Sequence, residues 1–274
     1  MINRLLGRAP PERMPPAVAA LLADLPGGGA PQPIERMAGV AVQGTPVPGA
    51  WVVQSARHAA ASRLVLRYAP NVDLSEGVIV VLGRPVRDLV LHFLGGASRF
   101  VLGAGARGFH GQVNLGLRSS VTVGEETTAM NVLVMTRHSE VVIGRDCMIS
   151  GDVVLNAAQH HGIVDLSERP RRARPASARI ELGDHVWLGQ RAYLLGGTRI
   201  GSGAIVGAGA VVAGDRPRNC VVAGNPARVL RENVTWSRQV DAIDSGAASY
   251  IRSLSQDSHA GPHPAAGAAS AADL

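Results

Sequence analysis

Asn156 to Ile163, NAAQHHGI, sets two imidazoles side by side, His160 and His161, just ahead of an arginine-rich segment. Histidine is the side chain whose ordinary pKa lies near neutrality. It can take a proton from a hydroxyl as that oxygen attacks, or offer a neutral ring nitrogen to a metal. Adjacency alone selects neither role, and a solvated loop carries such a pair equally well. Thiol chemistry is less well supplied. The two cysteines, Cys147 and Cys220, are far apart and follow neither a metal-ligand spacing nor a disulfide framework. Neither stands beside a candidate base, so a nucleophilic thiol is not expected.

Whatever positions the histidines is built from small parts. In 274 residues, Phe, Tyr and Trp make up 3% while Gly numbers 33, so the core must rest on aliphatic side chains and thin β layers rather than a helical bundle. The net charge is +6, and all 27 basic residues are Arg. The guanidinium fork suits phosphate and carboxylate, which permits an anionic ligand without requiring one; no nucleic-acid partner is expected. The apolar run AVAALLADL contains Asp24 and is too short to span a bilayer. A cytoplasmic protein without membrane insertion, its cysteines reduced, is the expectation.

Leu182, Leu188, Leu194, Ile200, Val206 and Val212 form an aliphatic series at a spacing of six, each followed by Gly, Leu or Ala. Four residues after the first five stand Val186, Ala192, Thr198, Ala204 and Ala210, all small or β-branched. Six fits neither the 3.6 period of a helix nor the alternation of an ordinary strand; it fits the hexapeptide repeat of a parallel β-helix. Each hexapeptide makes one side and corner of a triangular coil, and its aliphatic stacks on the equivalent residue of the next coil, about 4.8 Å away.

A looser version runs from about residue 80 through VVLGRP, FLGGAS, TVGEET and VIGRDC. The expected organisation is therefore an N-terminal cap over 1–77, a β-helix over 78–232 with an excursion at 160–179, a helix over 233–254 covering the open end, and a disordered tail over 255–274. The helix rests on the spacing of Trp236, Val240, Ile243, Ala247, Ile251 and Leu254. Trp187 is the only Trp of the strict repeat and is expected to point outward, since an inward ring would break a small-residue core.

With GDHVWLG and AGNPARV in place, the stretch from about 120 to 232 resembles the hexapeptide-repeat acyltransferases, in the branch of galactoside and maltose acetyltransferases and capsule or O-antigen O-acetyltransferases. The resemblance implies a left-handed β-helical homotrimer that binds acetyl-CoA between subunits, and no metal. It implies a general base at His161 for direct acetyl transfer to a saccharide hydroxyl, with His160, Asn131, Trp187 and Asp165 around the acceptor. Gln159 stands where relatives commonly carry Asp. For acetyl-CoA it points to Gln190 near the thioester, to Ala208 and Ala213 along the pantetheine arm, and to Arg228 and Arg231 near the phosphates.

Other readings remain beside it: an amino-sugar N-acetyltransferase, an antibiotic O-acetyltransferase, a non-catalytic scaffold, or a metalloenzyme resembling γ-type carbonic anhydrases. That last family pairs histidines five residues apart, and this chain has no such pair. If the acceptor is acidic, Arg169, Arg171, Arg172 and Arg174 are suitable partners.

Overall fold

A computed structural model of the chain describes residues 31–54, 63–105, 108–158, 160–167, 169, 173–174 and 179–257. The run AVAALLADL, Gln159, Arg171, Arg172 and the tail from 258 lie outside the described residues. The six-residue series governs the fold as the pattern predicts. Leu182 pairs with Ile200, Leu188 with Val206 and Leu194 with Val212, so three hexapeptides close one turn. All six aliphatics are buried, as are Val186, Ala192, Thr198, Ala204 and Ala210. Each Leu so placed contributes about 1.5–3 kcal/mol of apolar burial.

The result is a parallel β-solenoid of about seven turns. Its first face runs from Ala50–Gln54 through Glu140–Ile143 and Arg179–Leu182 to Asp215–Arg216. The second carries Met148–Ile149, Trp187–Leu188, Ile205–Val206 and Cys220–Gly224. The third carries Leu64–Tyr68, Leu89–Phe93, Val153–Asn156, Tyr193–Leu195 and Val211–Val212. The strand Thr128–Met135 bends across a corner, giving Thr128 and Ala129 to the second face and Val132 to Met135 to the third.

The solenoid starts earlier than the spacing suggests. Val40–Gln43 and Leu64–Tyr68 already stack in parallel on the third face and Ala50–Gln54 on the first, so a boundary at residue 78 falls inside the coil stack. These early coils turn from the first face to the third through a short connection, as at residues 83–88, without a strand on the second face. That shortening hides the hexapeptide period. Among the described residues, what precedes the coils is Gln32–Pro33, antiparallel to Trp51 and Val52, and a 3-10 turn over Ile34–Arg36. They cover the first face's exposed edge.

The other end also departs from the expected order. Ala227–Glu232 lies antiparallel on Cys220–Gly224 and covers that edge of the second face. The helix spans Ser245–Asp257 rather than 233–254 and packs along a corner of the coils instead of closing their end. Residues 233–244 are an irregular strap with bends at 238–242, in which Val240 and Ile243 face solvent while Trp236 is buried. Helical spacing there is a coincidence of a strap that touches the body at Trp236 and a helix that touches it at Ala247 and Tyr250. The helix also occupies residues 255–257, taken as the start of the tail. No helix among the described residues is long and apolar enough to cross a membrane.

Candidate active site

The three faces define three corners, and the candidate residues divide among them. At the corner between the second and third faces a cleft of about 470 Å³ opens, lined by Met130, Ser150, Trp187, Gln190, Ile205 and Ala208 among others. Trp187 points outward as expected, because it precedes the inward Leu188 on a pleated strand. Its Nε1–H donates to Ser150 Oγ at 3.2 Å. The wall beside it is nearly bare backbone: Gly151, Gly189, Gly207 and Ala208 all line the cleft. A Cβ on Gly189 would meet the Ala208 nitrogen at 2.6 Å, so the coils approach too closely there for any side chain.

Asn131 stands at the same corner. A register shift between Ala129 and Val132 turns Met130 and Asn131 outward, and Asn131 Nδ2 donates to Asp152 Oδ1 at 2.8 Å. Arg228 and Arg231 lie on the terminal antiparallel strand, opposite Ala223 and Val221. A Cβ on Gly207 would meet that of Ala223 at 2.8 Å, which places Arg228 at the terminal end of the cleft wall. Both arginines are exposed.

The histidines are elsewhere. His160 and His161 follow the third-face strand Val153–Asn156, at the corner leading back to the first face, and both are exposed. There the chain leaves the coils as an excursion in which Ile163–Val164 pairs antiparallel with Ala173–Arg174 before Arg179 resumes the first face. His160 Nδ1 lies 3.4 Å from an Arg137 nitrogen. Asp165 accepts from the Ser167 backbone N–H at 2.8 Å and from its hydroxyl at 2.5 Å, a local turn. Ala213 follows the third-face strand Val211–Val212 and shares the histidines' corner, so within one chain it does not join Ala208 in the cleft.

Thus Asn131, Trp187, Gln190 and Ala208 gather at one corner, while His160, His161, Asp165 and Ala213 occupy another. Sequence reasoning missed Ser150, Met130 and Ile205. Pairing Ile149 with Leu188 would have found Ser150, since it sets Ser150 beside Gly189. His185 of GDHVWLG, to which the sequence assigned no part in acetyl transfer, is 2% exposed and bonded at both ring nitrogens.

The faces differ in character. The first is crossed by ion pairs joining Arg179 to Glu140 and to Glu181, and Arg199 to Glu181. The outward positions of the third include Leu133, Val154, Val211, Met135 and Leu195, an apolar band only half-buried in the single chain.

Comparison with known proteins agrees with this architecture. Residues 179–214 match the model of the bacterial transferase hexapeptide, six repeats. The chain is 34% identical over 143 residues to the polysialic acid O-acetyltransferase of Escherichia coli O1:K1 / APEC, covering 50% of this chain and 46% of that protein. It is 32% identical over 114 residues to the galactoside O-acetyltransferase of Escherichia coli K12, covering 42% and 55%. The chain thus spans about half the length of the curated relatives it matches. Among solved structures, the polySia-specific acetyltransferase NeuO superposes with a TM-score of 0.64 at 27% identity, covering 82% of this chain and 95% of that one. The eighteen-residue turn, the bare cleft wall and these matches together make the chain similar to the hexapeptide-repeat acetyltransferases.

Proposed function

We propose that the protein is an acetyl-CoA-dependent O-acetyltransferase that acts on a saccharide hydroxyl and works as a homotrimer. The observation that carries the reading is the division of the site: the glycine-walled cleft lies at one corner of the coil and His161 at another. A second copy of the chain, packed through the apolar band of the third face, can offer its histidine corner to this cleft. The charged ladder on the first face disfavours that surface for the same contact. Single-chain architecture therefore favours a site assembled between subunits.

The cleft suits a thin, flexible acyl carrier. Gly151, Gly189, Gly207 and Ala208 leave room for a pantetheine arm against the backbone, Gln190 stands by the thioester, and Trp187 closes one side. Arg228 and Arg231, at the terminal end, are exposed and can pair with phosphates as charge-assisted donors. Asn131, held by Asp152, lies near the acceptor. His161 takes the proton of the acceptor hydroxyl as its oxygen attacks the thioester carbonyl. The tetrahedral intermediate collapses, the C–S bond breaks, and the imidazolium returns the proton to the departing CoA sulfur. No covalent enzyme intermediate is needed.

The acceptor class follows the relatives, which act on polysialic acid and galactosides. An acidic glycan suits the histidine corner, where Arg137 stands beside His160 and Arg169 lies on the excursion. A CoA-release assay across neutral sugars, nucleotide sugars, acidic polysaccharides and aminoglycosides tests the proposal. Acetyl transfer to a sugar hydroxyl, abolished in His161→Ala, is the expected result. Release of CoA with none of them, or only with an amine acceptor, would overturn the O-acetyltransfer reading.

A further inference from the structure

His185 is buried, charged-partnered and unused by the reaction just described. It occupies the corner between the first and second faces with φ +55°, in a column of left-handed turn residues that includes Asp146, Gly203 and Asn219. Its Nδ1 lies 2.8 Å from Asp146 Oδ2 and its Nε2 lies 3.0 Å from the Trp236 carbonyl oxygen. Both partners are acceptors, so each ring nitrogen faces a hydrogen-bond acceptor. That ring is stacked with Trp236 at 4.3 Å and with Tyr250 at 4.8 Å, and Trp236 Nε1–H donates back to the His185 carbonyl at 2.8 Å.

The strap is laid down this corner coil by coil. Val234 N–H donates to Asn219 O, Thr235 Oγ1 to Gly203 O, and Arg238 reaches Asp146 Oδ1 at 2.7 Å. The helix then returns along the same column: a Cβ on Gly246 would lie 2.6 Å from Asp146 Oδ2, and one on Gly203 would lie 2.5 Å from the Tyr250 ring. Glycine is needed on both sides for the helix to seat this closely. Trp236 sits between the two sites. One of its contacts is the stacked His185, and the other is Trp187 of the cleft, with ring centroids 6.2 Å apart.

We infer that His185 is a positioning residue for the cleft: it locks the C-terminal strap so that Trp236 braces Trp187. The inference deepens the acyl-carrier reading of the cleft and rests on it. Trp187 is held at its Nε1 by one hydrogen bond to Ser150, and without the brace its ring is free to pivot about that contact. His185→Phe keeps an aromatic ring between Trp236 and Tyr250 and removes both polar contacts.

The test uses the full chain with 5-fluorotryptophan at its three Trp positions, each 19F line assigned by single Trp→Phe changes. In His185→Phe, studied well below its melting temperature, the Trp187 line is expected to shift and broaden. The Kd for CoA is expected to rise at least fivefold, and the KM for acetyl-CoA to rise more than kcat falls. Should His185→Phe not fold, Trp236→Leu removes the brace while leaving Asp146 on His185, and carries the same comparison. A Trp187 line and a CoA Kd both unchanged in the folded variant would overturn the inference. Failure of the unsubstituted protein to bind CoA would instead overturn the acyl-carrier reading, and the Trp187 line alone would then decide whether the brace exists.

Discussion

His161 is distinguished by what surrounds it. It is exposed, at the root of the excursion, where an acceptor can approach, whereas His185 is sealed by two hydrogen bonds and two rings. His161→Ala should therefore lower kcat by roughly 100-fold or more, with the CoA Kd changed less than about twofold, because no donor contact is removed. Steady-state kinetics beside a CoA titration checks both numbers. Cys147 gives the opposite expectation. Burial pushes its thiol up to about 12, against hydrogen bonds that pull it down, so no thiolate is available at neutral pH. A thiol reagent at pH 8 should label Cys147 only after denaturation; rapid labelling of the folded protein would contradict its burial.

At the scale of the element, the strap and its helix depend on two carboxylates. Asp244 caps the helix, accepting from the N–H groups of Gly246 and Ala247 at 2.8 and 3.1 Å. Burial works to raise its pKa, but hydrogen bonds from Ser237, Ala247, Arg238 and Gly246 together prevail and hold it at about 2. Asp146 is treated alike: burial raises it, and His185 and Arg238 outweigh that and lower it. A carboxylate whose folded pKa is depressed contributes stability that is complete above its unfolded value, about 3.9, and is lost as pH falls through the folded one. Release of the strap, read by the fluorescence of buried Trp236, should thus set in as pH drops from about 4 toward 2, before the coils lose their β circular dichroism. Asp244→Ala should cost about 1 kcal/mol and bring the release to higher pH.

For the whole molecule, the proposed trimer makes the site depend on assembly. Val154 stands at the centre of the apolar third face, beside Leu133 and Tyr193. Val154→Arg should leave each chain folded, because the position points away from the core, but convert the proposed trimer to monomer. Light scattering reads the mass, and thioester cleavage should fall with it even though His161 and the cleft are both intact. Activity that persists in a monomeric variant would sink the shared-site reading. The same experiment separates catalysis from scaffolding, since a scaffold would lose assembly with no rate to lose.

The spacing of six from Leu182 to Val212 determined the coil, its turn length and its inward residues, because a stacked solenoid repeats one local rule and sequence-local periodicity carries it. The bare wall at Gly189 and Gly207, the outward Trp187 and the excursion after Asn156 were legible for the same reason. The early coils were not, since a corner shortened at residues 83–88 breaks the count while leaving the pairing intact. Nor was the strap: Trp236, Ala247 and Tyr250 mimic one helical face, and only the body they pack against shows that they belong to two elements running in opposite senses along one corner. Which corner a residue occupies depends on cumulative turn lengths through the whole stack. That is why the resemblance could nominate His161 and Gln190 for one reaction, and why it took the tertiary structure to set them on different corners of the same chain.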